Sequence, residues 1–146
     1  MFQEKIGISG ELRISILDEN GVLKEERVIP NLITTVGITF IASRMDGATA
    51  NVMSHMAIGT GSTAAAVGNT TLQAESVRVA VDSSTASTAT EIYVATFPPG
   101  TGTGAGTEAG VLNAASSGTL LCRTVFSVIN KGASDSMIIT WTITVS

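Results

Sequence analysis

The segment Glu11-Leu12-Arg13-Ile14-Ser15-Ile16-Leu17-Asp18-Glu19-Asn20-Gly21-Val22-Leu23-Lys24-Glu25-Glu26-Arg27-Val28-Ile29 decides the fold class. Leu12, Ile14 and Ile16 alternate with Glu11, Arg13 and Ser15, the period of two that predicts a half-buried strand. Asp18-Glu19-Asn20-Gly21 follows, and Asn-Gly accepts the positive φ of a tight hairpin turn. Val22 to Ile29 then returns as the partner strand. The acidic turn has the composition of a calcium loop. Such a loop needs acidic ligands at several alternating positions and a distant Glu, whereas Val22 and Leu23 come next, so the segment reads as a turn.

Outward from this hairpin, the pattern stays β. Thr34 and Thr35 can cap a short helix over Thr35–Met45, with Ile38, Ile41, Ala42 and Met45 forming its core-facing stripe. Strands are predicted at Val52–Ile58, Ser76–Val81, Ile92–Phe97, Glu108–Leu112, Thr119–Ile129 and Ser136–Val145. In the last of these, Ile139, Trp141, Ile143 and Val145 share one face. The Ser/Thr/Ala stretch Asp82–Thr90 and the Gly/Thr stretch Pro98–Thr107 read as long loops, a class that is often functional. Seven or eight short strands predict an all-β fold, a β-sandwich or jelly roll with an N-terminal hairpin and one short helix. Residues 1–10 form an N-terminal arm or first strand, in which Phe2, Ile6 and Ile8 are candidate contact residues. Residues 11–146 form a single β-sandwich domain.

Composition narrows the function. A chain of 146 residues buries enough surface to need no covalent staples, and its lone cysteine, Cys122, lies in the apolar run Leu120-Leu121-Cys122 as a small buried hydrophobe. Charged residues make up 14% and the net charge is −4, with no Lys/Arg cluster, which argues against a specific nucleic-acid partner. Lys24–Arg27 contains two acids and reads as a solvated strand face. No apolar run reaches the roughly 18 residues of a membrane span, and the first residues lack the apolar core of a signal peptide. The chain is thus expected to fold in a cytoplasm, without a membrane partner.

Catalytic chemistry finds little to build on. His55 is the sole imidazole. Its neighbour Ser54 is expected to point to the opposite face of a strand, so the two do not suggest a nucleophile and base. One Cys and one His do not make a zinc set. Gly59-Thr60-Gly61-Ser62 lacks the Lys of a phosphate loop and reads as a bend. Glu75, Glu91 and Glu108 show no spacing that converges carboxylates, and the few aromatics argue against a sugar platform. No catalytic residue, metal or cofactor is expected.

An ordered set of short strings carries a resemblance. Asn31-Leu32 and Gly37 precede Met56-Ala57-Ile58-Gly59-Thr60-Gly61. Thr71-Leu72 follows with Glu75 and Arg78, then Glu108-Ala109-Gly110-Val111-Leu112, then Arg123, Phe126 and Ile129-Asn130-Lys131. Trp141-Thr142-Ile143-Thr144 closes the set. From Asn31 to the C-terminus the chain resembles small virion structural proteins of tailed bacteriophages, either capsid cement (decoration) proteins or tail- and fibre-associated proteins. The resemblance implies a β-sandwich module, often trimeric, without catalytic residues. It implies a virion protein, made in the host bacterial cytoplasm, that bridges major capsid protein subunits. A tail, collar or fibre-attachment module is the alternative, and a glycan-binding module is the third reading. Glu75, Arg78, Glu108 and Arg123, isolated charges beside apolar strands, are candidates for ion pairs at subunit boundaries.

Overall fold

The computed structural model describes residues 5–146. Its strands are β1 (Ile8–Leu17), β2 (Leu23–Pro30), β3 (Leu32–Ile33), β4 (His55–Gly59), β5 (Glu75–Ala80), β6 (Ser83–Ser87), β7 (Thr90–Phe97), β8 (Gly104–Leu112), β9 (Leu120–Lys131) and β10 (Ser136–Val145). Helix α1 (Thr35–Ser43) runs into a 3₁₀ turn at Arg44–Asp46. Two five-stranded antiparallel sheets form, one ordered β2-β1-β10-β7-β6 and the other β3-β9-β8-β4-β5. The chain is an all-β, sandwich-like fold.

The N-terminal hairpin has the expected register. Leu12, Ile14 and Ile16 are buried and Arg13 is exposed. Gly21 takes a φ of +76°, and its N–H donates to the Asp18 carbonyl over 3.0 Å. The Asp18 carboxylate accepts from the N–H groups of Asn20 and Val22, so an acidic side chain completes the turn. β1 also pairs with β10, which places Leu12 opposite Trp141 and Ile14 opposite Ile139. These side chains meet Met56, Val111, Cys122 and Ile129 of the second sheet in one core.

Helix α1 is tied down at its start. Buried Thr34 donates through Oγ1 to the Leu120 carbonyl over 2.7 Å and accepts there from the Gly37 N–H over 3.0 Å. A Cβ on Gly37 would overlap the Leu121 carbonyl oxygen, so only glycine lets the helix lie this close to β9. The expected core-facing stripe is only partly inward. Ile41 packs on the core, but Ile38 is half exposed and Met45 is 88% exposed. The change from α to 3₁₀ geometry after Ser43 shifts the side-chain period and turns Met45 outward.

Three expectations about connectors are corrected. Asp82–Thr90 is not a loop: it holds β6, which pairs with β7 through the two-residue turn Thr88-Ala89. Both faces of β6 are exposed, so no apolar alternation marks it. Pro98–Thr107 contains the start of β8, where Gly104 pairs with Lys131. β4 begins at His55 rather than Val52.

Ile14→Ala is expected to destabilise the fold by about 2–5 kcal/mol, through lost burial and the cavity left behind. Ser15→Ala, one residue along, is expected to stay within about 0.5 kcal/mol. Urea unfolding of the two variants checks the register, and similar losses would contradict it.

Candidate functional site

The outer face of the second sheet is closed by the segment 60–74, which contains few large apolar residues. Glu108 on β8 and Arg123 on β9 lie beneath it, both buried, with Arg123 Nε 2.9 Å from Glu108 Oε2. The Glu108 carboxylate also accepts from the N–H groups of Gly61 (3.0 Å), Gln73 (2.9 Å) and Ala74 (2.6 Å). Arg123 donates onward to Asn69 Oδ1 over 3.0 Å and to the Thr63 carbonyl over 3.1 Å. A segment without strand partners thus satisfies its backbone on a buried ion pair. Leu72 completes the seal by packing on Ala57, Leu112 and Leu120.

Gly59 and Gly61 read from sequence as a bend, but Gly61 owes its identity to this carboxylate, and Gly59 first to the Ala74 carbonyl and then to the carboxylate. A Cβ on Gly61 would lie 2.5 Å from Glu108 Oε1 and 2.6 Å from the Gln73 side chain. Burial pushes the Glu108 carboxyl upward. The N–H groups of Ala74 and Gln73, the Arg123 guanidinium and the Gly61 N–H outweigh that effect and hold it below the usual carboxylate range.

Glu75 and Arg78 make a second pair, with Arg78 Nη2 2.7 Å from Glu75 Oε1. Arg78 also donates to the carbonyls of Ala114 (2.8 Å) and Ser117 (2.9 Å), tying β5 to the 113–119 loop. Both ion pairs expected at subunit boundaries therefore close within one chain. The β8–β9 register brings Glu108 and Arg123 onto one face of the sheet, where burial makes leaving either one alone costly, whereas Glu75 and Arg78 pair along β5 with Glu75 exposed.

At the N-terminus, Gly7 and Ser146 exchange backbone hydrogen bonds of 2.6 and 2.9 Å. Ile8 belongs to β1 and packs against the core, so the arm is shorter than residues 1–10. Ile6 is 75% exposed. Phe2 lies outside the described residues. Exposed Ile6 is therefore the described apolar candidate at this end.

Sequence reading missed an apolar cavity of about 470 Å³ between α1 and the first sheet. Phe40, Ile41, Leu121 and Ile143 line it, together with Glu91 and Tyr93. Burial, and then the nearby Glu91 and Cys122, push the Tyr93 hydroxyl up to about 12. Its signal in sequence was the uncharged helix, whose apolar residues exceed what its contact with β9 can cover. Ser54 and His55 meet, contrary to expectation, with Oγ 2.8 Å from Nδ1, because Ser54 precedes β4 and escapes strand alternation. Cys122 is fully buried and burial pushes its thiol up, which disfavours the reactive thiolate. Among the described residues, no group of three His, Cys, Asp or Glu side chains could hold a metal ion, and no helix is long and apolar enough to cross a membrane. Comparisons of the chain with family models, curated proteins and solved structures give no match.

Glu108→Ala is expected to cost about 3–5 kcal/mol, since Arg123 and the backbone donors lose their acceptor. The lowered carboxyl adds a pH signature. Its contribution is complete above the unfolded value of about 4.3 and is lost as pH falls through the lower folded value. Melting temperature should drop for the wild type across that acid window. Glu108→Gln, less stable at pH 7, should show a shallower acid loss, and parallel curves for the two proteins would contradict this account.

Proposed function

We propose that this chain is a structural, non-catalytic virion protein of a tailed phage, a cement protein that assembles as a homotrimer and bridges major capsid protein subunits. One observation carries the reading. The strings on which the resemblance rests are scattered along the sequence, yet Gly59, Gly61, Leu72, Glu108, Gly110 and Arg123 meet in one buried cluster. Gly37, another of these residues, sits against β9 beside it. The clustered residues come from four separate stretches of the chain and build one structural unit. Their convergence supports a shared structural requirement.

The chemistry of the cluster suits this role. It fixes a long surface segment through hydrogen bonds to a buried ion pair, and a pre-ordered surface binds a partner without a large ordering cost. A protein repeated around a shell then multiplies modest contacts through high local concentration. Exposed Ile6, next to the β1–β10 end of the sandwich, is an apolar residue free to meet a neighbour.

The test is co-sedimentation of the protein with empty shells and, separately, with purified tails. Full-length protein is expected to pellet with shells. Removing residues 1–6, or introducing Ile6→Ser, is expected to weaken shell binding at least about tenfold, roughly 1.4 kcal/mol. Ile6→Ser should not alter the melting temperature appreciably, since Ile6 contributes little to the core. Binding to tails but not shells would move the protein to the tail, and glycan retention without either would favour the third reading.

A further inference from the structure

The free edges of the two sheets are not alike. β2 carries Lys24, Glu25, Glu26 and Arg27 and ends at Pro30, and β5 carries Glu75 and Arg78. Charge and proline are the usual devices that stop an edge from recruiting another strand. β3 is only two residues long. β6, Ser83-Ser84-Thr85-Ala86-Ser87, is different: it has no charge, no proline and no glycine, and every residue is exposed. Among the described residues no strand lies beyond it.

Geometry specifies what can cover this edge. The two-residue turn Thr88-Ala89 makes Ser87 and Thr90 the closing pair of the hairpin. Alternation along an antiparallel ladder then points the backbone groups of Ser83, Thr85 and Ser87 at β7 and those of Ser84 and Ala86 outward. The complement of such an edge is a backbone in strand conformation.

We infer that β6 pairs antiparallel with β6 of a second copy of this chain, joining their first sheets across a two-fold axis. Centred on Thr85, the pairing sets Ser84 opposite Ala86 and Ser83 opposite Ser87 of the other copy. Thr85 faces its own counterpart, a favourable cross-strand pair. No like charges meet, and the side chains are small enough for the strands to approach on both faces. A two-fold contact cannot itself generate a trimer. It goes beyond the function proposed above by joining copies that belong to different trimers, and it holds whether or not the chain sits on a shell.

Ala86→Pro removes one outward N–H and leaves the β7 ladder intact, and edge strands tolerate proline at such positions. Light scattering on the purified full chain should give an even number of copies for the wild type, at most half that number for Ala86→Pro, and the wild-type number for Ala86→Ser. An odd number of copies in the wild type, or an unchanged mass for a folded Ala86→Pro, would overturn the pairing. Hydrogen exchange on the wild type gives a test that does not depend on how the variant folds. The Ser84 and Ala86 amides should exchange at least about tenfold more slowly in concentrated than in dilute protein. Equal exchange at both concentrations would overturn the inference as well.

Discussion

The buried pair of Glu108 and Arg123 is the constraint on which the second sheet depends. A hydrophobic replacement of an isolated buried ion pair is often harmless, because desolvation consumes most of the attraction. Here that substitution would leave the N–H groups of Gly61, Gln73 and Ala74 and the Thr63 carbonyl without partners. The Gly61 N–H is buried and would cost about 1–3 kcal/mol as an orphan, and the part-buried groups less. The pair is therefore better understood as the missing strand partner of segment 60–74 than as an electrostatic staple. Its glycines follow from the same need, since the carboxylate must come within bonding distance of a main chain that has no Cβ in the way.

This closure makes the two sheets unequal. β4 is buried along most of its length because the core covers one face and the 60–74 segment covers the other. The first sheet keeps the ordinary pattern of an antiparallel sheet with one wet face, where Thr140, Thr142 and Thr144 alternate with Ile139, Trp141 and Ile143. Helix α1 packs chiefly on β9, and the apolar cavity lies beside its Phe40 and Ile41.

What sequence reading could recover follows from which signals are local. The first hairpin was legible because alternation and turn chemistry are both read within about twenty residues. β10 was legible for the same reason. β6 was not, because a strand exposed on both faces has no apolar period, and its turn uses Thr88 at a φ of +54° rather than Asn-Gly. The four charged candidates were legible as unusual, isolated charges beside apolar strands. The pairing of Glu108 with Arg123 was not, because it depends on the β8–β9 register and its bulge near Glu108, which no short window encodes. The cavity depends on how far a helix overhangs one strand, and that distance is set by Gly37 and Thr34 together.

The internal use of charge has a further consequence for association. Glu108 and Arg123 are consumed inside the fold, Arg78 is nearly so, and Asp135 is bound by Lys24 over 2.9 Å and by the Gly132 N–H. Lys131 is buried as well, donating to the Pro98 carbonyl over 3.0 Å. In a chain with so few charges, this leaves a surface with a weak long-range field. Electrostatic steering, which raises association rates when charge is concentrated on one patch, then has little to act on. Contacts made by such a surface must draw on shape, apolar residues such as Ile6 and Met45, and the unpaired backbone of an edge. These are short-range terms, largely indifferent to salt, and they gain most when many copies are already held close together.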